Sequence, residues 1–206
     1  MPAPEVIYRH ADSRPALGHV NLMVDTFIAN ANAEDLRSII RSLLATGPPG
    51  MTPAFTDAAR LRLHQTYSKN LPSPYQLFRK QTRDLPCAVL PPLHDALTRA
   101  RSLYGAGMGF ASLHVLASIV RATIGLRWEE DGDMAEMLAV IDSDIGQAIQ
   151  SSKEEIEGGR VVDFSSAREA RNELRCAVNE SLADVSSWGG EFPFECAAAS
   201  IDFWKI

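Results

Sequence analysis

A chain of 206 residues with 46% hydrophobic and 22% charged side chains has the composition of a folded protein and can bury a sizeable core. Its three cysteines are odd in number and far apart, which excludes a disulfide framework and a cysteine-based metal site. The net charge of −6 is uneven, because residues 51–100 carry seven basic and three acidic side chains, whereas residues 101–206 carry nine basic and eighteen acidic ones. One basic surface is therefore expected on an otherwise acidic protein.

The first residues do not have the pattern of a secretion signal. Glu5 and Arg9 fall where a signal peptide needs an uninterrupted apolar stretch. We therefore expect residues 1–12 to form a disordered N-terminal segment and the protein to be cytoplasmic or nuclear. No motif for a cofactor and no cluster of metal ligands is present, so neither a cofactor nor a metal is expected.

Helical spacing of apolar residues recurs along the first half of the chain. A first set is followed by Gly-Pro-Pro-Gly at 47–50, which predicts the end of a helix. Thr52-Pro53 predicts the start of the next helix, and Pro91-Pro92 precedes another. The apolar positions of the first two helices are Leu36, Ile39, Ile40, Leu43 and Leu44, then Phe55, Ala59, Leu63 and Tyr67.

The second half continues the same pattern. Met134, Leu138, Ile141, Ile145 and Ala148 alternate at four and three residues, which is typical of a helix packed at a shallow angle on a neighbour. Gly158-Gly159 interrupts the chain, and Ser166 with Glu169 forms a capping box that predicts the start of a long helix. A short helix follows near residues 194–204.

Alternation with a period of two is nearly absent, and residues 160–164 are expected to be a loop. These patterns predict an all-α fold for residues 1–206, a single-domain multi-helix bundle of about eight or nine helices joined by short turns. The bundle is expected to surround a central apolar helix near 108–125.

The central segment, Leu103 to Val120, carries no charged side chain, a pattern that has three interpretations. It is just long enough to span a membrane, but its glycines, serines and histidine make it too polar, so no membrane partner is expected. Its Gly-x-Gly-x-Gly run resembles a phosphate-binding turn, but the spacing of the dinucleotide fingerprint and the lysine of a P-loop are missing. The third interpretation is the core of the bundle.

Glycine decides where that core helix begins. Each glycine inside a helix costs about 1 kcal/mol relative to alanine, so the chain is expected to break near Gly105 to Gly107 and to begin a new helix around Met108. The pair Gly105 and Gly109 is expected to allow a close backbone approach. Two apolar stripes of the new helix are predicted to face the core, which leaves one small, polar stripe.

The polar stripe contains the best candidate for a small-molecule site. His114, Ser118 and Arg121 lie at four- and three-residue spacing and therefore share one face of the helix. They would line a cleft in a helical-bundle enzyme or ligand-binding protein, with the arginine binding an anion. The alternative is a solvated strip with one partly buried histidine.

A second candidate is a nucleic-acid surface in the basic segment 60–83. Its binding residues would be Arg60, Arg62, Lys69, Arg79, Lys80 and Arg83. Aromatic residues lie between them and could stack on bases. These aromatics also fall on the apolar helix positions, so the alternative is that they pack inward while the charges stay solvated.

Carboxylates in the second half are predicted to have structural roles. Acidic residues between 129 and 136 precede a helix, where they favour the positive end of its dipole. Asp142 and Asp144 are expected to lie on different sides of that helix, and the calcium-loop pattern is not met.

Aromatic residues are concentrated near the end of the sequence. Trp188, Phe192, Phe203 and Trp204 are candidates for an interface, because aromatic rings give large contact areas at little entropic cost. The alternative is that they close the core. Together with the apolar series from Met134 to Ala148, they favour a protein-interaction or regulatory domain that binds a protein partner or a second copy of itself. No catalytic motif is recognisable, so an enzyme is not favoured.

Overall fold

The structure is a computed structural model, and it describes residues 22–67, 77–82 and 85–205. The all-α prediction is confirmed, because these ranges contain eight helices and two strands of two residues each. They are α1 (Leu22–Asn30), α2 (Ala33–Thr46), α3 (Met51–Tyr67), β1 (Phe78–Arg79), β2 (Ala88–Val89), α4 (Pro91–Gly105), α5 (Gly109–Ala122), α6 (Asp133–Glu157), α7 (Phe164–Trp188) and α8 (Glu195–Phe203). The segment 1–12, predicted to be disordered, lies outside the described residues.

The chain divides into two compact units, one up to Thr52 and one from Pro53 onwards. The prediction of a single domain stays a prediction. In the first unit, Asn32 caps the start of α2, and its side chain accepts a hydrogen bond from the backbone nitrogen of Asp35 at 2.8 Å. The helix ends before Gly47, its C-cap residue, as the Gly-Pro-Pro-Gly sequence predicted. None of residues 24–50 is buried.

Helix α5 is the centre of the second unit, as predicted. It packs against α4, α6 and α7. Five of its apolar side chains are completely shielded from solvent, and burial of each large aliphatic side chain contributes about 1.5–3 kcal/mol. These five are Leu113, Leu116, Ala117, Ile119 and Val120.

The glycine run breaks the chain where the sequence predicted. Helix α4 ends at Gly105 and α5 begins at Gly109. Gly107, between them, has a φ of +73°, which a residue with a side chain rarely adopts. Gly109 provides the close backbone approach, because a Cβ there would lie 2.6 Å from the Cα of Ser152. Gly105 does not, since a Cβ there would meet open space.

Helices α6 and α7 have 25 residues each and complete the bundle with α8. The prediction of an interface along α6 is wrong. Its four-three series is core instead, because all five positions are buried: Met134, Leu138, Ile141, Ile145 and Ala148.

The predicted start of α7 is also wrong. The helix begins at Phe164, and Asp163 caps it by accepting a hydrogen bond from the backbone nitrogen of Ser165 at 2.8 Å. Ser166 lies inside the helix and donates to Asp163 at 2.6 Å. Asp163, three residues before the expected cap Ser166, therefore accepts the hydrogen bonds of the first turn.

Two short strands precede α4 and were not predicted. They pair antiparallel, with Phe78 opposite Val89 and Arg79 opposite Ala88. Each contributes two residues, which is too few for an alternating pattern to be recognised. Residues 160–163 carry no strand, as predicted, whereas Phe164, the last residue of the expected loop, is the first residue of α7.

Candidate functional site

The polar stripe of α5 faces α7. His114, Ser118 and Arg121 share one face, as their spacing predicted, but a carboxylate of α7 occupies it. Nδ1 of His114 contacts Oε2 of Glu173, and Nη1 of Arg121 donates to Oε1 of Glu173 at 2.8 Å. Ser118 donates to the backbone oxygen of its own helix at His114, at 3.0 Å.

We call His114, Arg121, Glu173 and Glu180 the α5–α7 ion-pair cluster. Arg121 also approaches Glu180, with Nε 3.6 Å from Oε2. Burial raises the pKa of the Glu173 carboxyl, but the hydrogen bonds from His114 and Arg121 outweigh it, so that this pKa lies below its ordinary value. Glu173 is thus held as an anion between two basic side chains.

This geometry favours a structural role for the stripe over a binding cleft. The anion that Arg121 was expected to bind is supplied by Glu173 of the same chain. Neither cavity described below is lined by His114, Ser118 or Arg121. The cluster therefore fastens α5 to α7 across their solvent edge.

A second carboxylate of α7 fixes the turn that follows α5. Asp184 accepts hydrogen bonds from the backbone nitrogen of Gly125 and from Nη1 of Arg127, both at 3.0 Å. The guanidinium of Arg127 lies over the Trp188 ring, 5.1 Å from its centroid. Trp188 also packs edge-on against Trp128 at 5.3 Å. This candidate interface ring is therefore partly engaged within the chain.

A cavity of 640 Å³ lies beside the two strands and the start of α6. It is lined by Gln81, Thr82, Leu85, Pro86, Cys87, Arg127, Trp128, Glu129, Gly132, Asp133 and Met134. Sγ of Cys87 donates to the backbone oxygen of Arg127 at 2.9 Å. Burial raises the pKa of the Cys87 thiol, which keeps it protonated and weakly nucleophilic. Cys87 is therefore not activated as a nucleophile in this cavity.

The N-terminus of α5, where a phosphate cradle was considered, is occupied by a side chain of α6. Glu155 accepts a hydrogen bond from the backbone nitrogen of Phe110 at 3.3 Å. Burial raises the pKa of the Glu155 carboxyl above its ordinary value, although the N–H groups of Phe110 and Gly109 and the nearby Arg160 and Arg60 act to lower it. The glycine turn thus binds a carboxylate of its own chain.

Asp142 of α6 likewise accepts a hydrogen bond from a backbone nitrogen in the first turn of α8. Its Oδ1 accepts the backbone nitrogen of Ala197 at 2.9 Å, and Phe194, at the N-cap position of α8, makes no side-chain cap. Asp144 points elsewhere, to Arg101 at 2.8 Å and to the hydroxyl of Tyr104 at 2.8 Å. The prediction that the two carboxylates lie on different sides of the helix is confirmed, and both have structural contacts.

The basic residues of segment 60–83 do not all face outward. Arg60 is committed within the fold, because Nε donates to the backbone oxygen of Ala106 at 2.7 Å and Nη1 donates to Asp57 at 2.8 Å. Arg79 donates to the backbone oxygen of Pro86 at 3.4 Å. Arg62, Arg79 and Lys80 are exposed, whereas Lys69 and Arg83 lie outside the described residues.

Phe78, one of the aromatics of this segment, is buried, so it packs inward as the alternative interpretation expected. A surface with aromatic rings free to stack on bases is therefore not formed by Phe78. Nucleic-acid binding stays a prediction.

The aromatic residues near the end of the sequence divide between core and surface. Trp204 is buried and stacks on Phe110 at 5.7 Å. Phe192 is half-buried, edge-on to Phe194 at 5.9 Å. Phe203, in contrast, is 87% exposed. Of the four candidate interface rings, Phe203 is thus the one that presents itself to solvent almost entirely.

A groove of 420 Å³ between α3 and α4, here called the α3–α4 groove, was not predicted. It is lined by Phe55, Thr56, Ala59, Arg62, Leu63, Arg101, Ser102, Gly105 and Ala106. The α3 positions follow the helical period, so they were visible as an apolar face in the sequence. The sequence did not indicate that α4 would offer small residues opposite them.

The apolar face of α2 is exposed as well. Ile39, Ile40 and Leu43 are 40%, 37% and 51% exposed, and no residue of α2 is buried. In α1, Val24, Phe27 and Ile28 are each about half exposed. None of residues 24–50 is buried, so the described part of this unit offers no core to these six side chains, which we call the α1–α2 apolar surface.

Comparisons with family models, with curated proteins and with solved structures find no match to this chain. None of the described helices has the length and hydropathy needed to cross a bilayer. In ranges 22–67, 77–82 and 85–205, no group of three or more histidine, cysteine, aspartate or glutamate residues could hold a metal ion.

Proposed function

We propose that this protein is an association domain that binds a second copy of itself or another protein through the α1–α2 apolar surface. The observation that carries the proposal is helix α2, which has an apolar face but no buried residue. An apolar helix face that is exposed in this way is typical of interaction surfaces in folded proteins. Self-association is the form of the proposal tested first, since it needs no component other than the chain.

The physics of short helices supports the same proposal. A helix of 14 residues is marginal in water by itself, and most helices in proteins are stabilised by packing their apolar face. Ile39, Ile40 and Leu43 lie on that face without a covering partner in the described part of the chain. A partner surface would give them the burial that the described part of their own unit does not provide.

The other two functions have less support. A ligand site at the α5 stripe would have to displace Glu173 from Arg121, which already holds it at 2.8 Å. A nucleic-acid site would have to do without Arg60, which is bonded to Ala106. Both alternatives predict that substitutions in α2 leave the activity of the protein unchanged.

The proposal is tested by changing α2 in the full chain. Ile40→Glu combined with Leu43→Glu places two charges on the apolar face, and Ser38→Glu places one on the opposite, exposed face as the matched control. Sedimentation velocity over a range of concentrations is the readout. We expect the double variant to weaken self-association by about tenfold or more and the control to leave it unchanged.

Circular dichroism should show the same helix content for all three chains, because no residue of α2 is buried. Equal association constants for the wild type and the double variant would contradict self-association through this surface. A wild-type chain that stays monomeric at about 1 mM would contradict it too.

A further inference from the structure

Phe203 is an apolar side chain with an acidic neighbour. It is 87% exposed, although the next residue, Trp204, is buried in the core. Asp202 beside it is also exposed and forms no salt bridge with any described residue. Aromatic side chains that enter a pocket are typical anchors of protein interfaces. Phe203 and Asp202 together form what we call the α8 knob.

The α3–α4 groove offers open space beside small residues. Small residues contribute to its lining on both sides, Ala59 from α3 and Gly105 and Ala106 from α4. The space above Gly105 is open, because a Cβ there would meet no atom within 4 Å. Its volume of 420 Å³ leaves room for an aromatic ring.

The charge of the groove is complementary to that of the α8 knob. Arg62 lines it, is exposed, and forms no salt bridge within the described ranges. Arg101, on the other wall, is already paired with Asp144 at 2.8 Å. An apolar side chain accompanied by one carboxylate would therefore suit this groove, since the carboxylate could pair with Arg62 while the apolar group fills the space between the helices.

We infer that the α8 knob of one copy inserts into the α3–α4 groove of a second copy, with Phe203 between the helices and Asp202 beside Arg62. The occupant is a second copy because the chain itself presents the apolar and acidic pair that the groove requires. The inference rests on the proposed function in that the chain must associate, but it uses neither α1 nor α2.

The contact is head-to-tail, because the knob and the groove are different surfaces. Each copy in a pair therefore keeps one free knob or one free groove, and the assembly grows into a ring or a filament instead of stopping at a two-fold dimer. This distinguishes it from a symmetric pairing of two α2 helices.

Two substitutions remove the contact from opposite sides. Phe203→Ser removes the exposed ring and leaves the groove empty. Gly105→Leu fills the groove and leaves the knob intact, and it suits the last residue of α4 because leucine is the better helix former. All chains also carry Ile40→Glu and Leu43→Glu, so that the α2 face does not contribute to the association. Sedimentation velocity should show that each of the two substitutions weakens association by at least tenfold.

Mixing the two variants tests the head-to-tail geometry. The Phe203→Ser chain offers an open groove and the Gly105→Leu chain offers a knob, so an equimolar mixture should form a one-to-one complex that grows no further. Phe203→Ser mixed with a chain that carries both substitutions should stay monomeric. A mixture of the two single variants that also stays monomeric would overturn the inference.

Charge reversal tests the pairing of Asp202 with Arg62. Asp202→Lys and Arg62→Glu should each weaken association, and a chain with both should recover most of the affinity, because the reversed pair is again complementary. Loss of affinity without recovery would count against the proposed pairing, since a purely structural effect of either substitution would not be repaired by the other.

The substitutions in α2 distinguish failure of this inference from failure of the proposed function. If the chain with altered α2 and wild-type Phe203 is monomeric at about 1 mM while the unaltered chain associates, the inference is overturned and the proposed function is supported. If substitutions at Phe203 and Gly105 matter and those in α2 do not, the inference is supported and the α1–α2 apolar surface is not the interface. A wild-type chain that is monomeric at the same concentration overturns the inference and the self-association form of the proposed function.

Discussion

Gly109 of α5 and Ser152 of α6 lie in direct backbone contact. A Cβ at Gly109 would lie 2.6 Å from the Cα of Ser152, closer than two carbon atoms can approach without one of them moving. The contact joins the beginning of the central helix to the buried side of α6, where Ser152 is fully shielded from solvent. The absence of a side chain at Gly109 is therefore required by packing.

Gly109→Ala should destabilise the protein. Backbone on the opposing helix cannot rotate away as a side chain could, so the added methyl group must separate α5 from α6, at a cost of about 1–3 kcal/mol. The free energy of unfolding from urea denaturation is the measurement. Gly105→Ala is the matched control, because a Cβ there meets open space and alanine favours the helix by about 0.5–1 kcal/mol. Equal effects of the two substitutions would contradict the close contact.

Glu173→Gln should reduce stability by about 1 kcal/mol or less, because the cluster is partly exposed to solvent. Since the pKa of Glu173 is lowered in the folded state, the stabilisation that this carboxylate contributes to folding is fully present above the ordinary value of 4.5. It is lost as the pH falls through the lowered pKa. The difference in unfolding free energy between wild type and variant should therefore shrink as the pH falls through that range.

Glu180→Gln provides the comparison for the same cluster. Glu180 is 3.6 Å from Arg121, and its side chain is 54% exposed, so its removal should change stability less than that of Glu173. A larger effect at Glu180 would show that the bridge through Glu173 does not fasten the two helices.

Asp142→Ala should loosen the start of α8. The substitution removes the acceptor of the Ala197 backbone nitrogen, and loss of a capping acceptor costs about 1–2 kcal/mol. Hydrogen exchange of the amides of residues 195–203 should accelerate more than that of α7. Asp142→Asn keeps an oxygen that can accept and should have the smaller effect.

Asp142→Ala should also make Cys196 more reactive. The hydrogen bond and the negative charge of Asp142 raise the pKa of the Cys196 thiol, so their removal should bring this pKa back toward its ordinary value and increase the thiolate fraction near pH 8. Alkylation of Cys196 followed by mass spectrometry measures the change, and the exposed Cys176 is the internal reference for reagent access. An unchanged ratio of the two rates would argue against the contact with Asp142.

Tyr104 should titrate far above ordinary tyrosines. Burial, followed by its hydrogen bond to Asp144, raises the pKa of Tyr104 to about 12. Because the pKa is raised in the folded state, the stabilisation that Tyr104 contributes to folding is fully present below the ordinary value of 10.0. It is lost as the pH rises towards 12. The difference between the ultraviolet titrations of the wild type and of Tyr104→Phe isolates this group, and Asp144→Asn should shift its transition to lower pH.

The sequence predicted the central helix because two local signals agreed. The cost of glycine placed the break near Gly107, and apolar periodicity placed the core positions of α5. Where local signals were ambiguous, predictions were wrong. Ser166 with Glu169 matches a capping box, but Asp163 lies closer to the preceding turn and caps the helix first.

The candidate site could not be completed from the sequence, because its partners are distant along the chain. Glu173 is 59 residues from His114, and Asp142 is 55 residues from Ala197. Spacing identifies which residues share a helix face, but not which helix is opposite. For the same reason, nothing local distinguishes the exposed Phe203 from the buried Trp204, since both are large aromatics next to each other.

Helix α6 supplies acceptors to the first turns of two other helices, Glu155 to α5 and Asp142 to α8. Fraying of α6 would therefore expose unsatisfied amides at both places at once. The three helices should open and close as one cooperative unit, with nearly equal opening free energies for their slowest-exchanging amides. A cut or insertion within α6 would consequently destabilise the first turns of α5 and α8 as well, which makes this helix an unfavourable place for a fused tag or a permuted terminus.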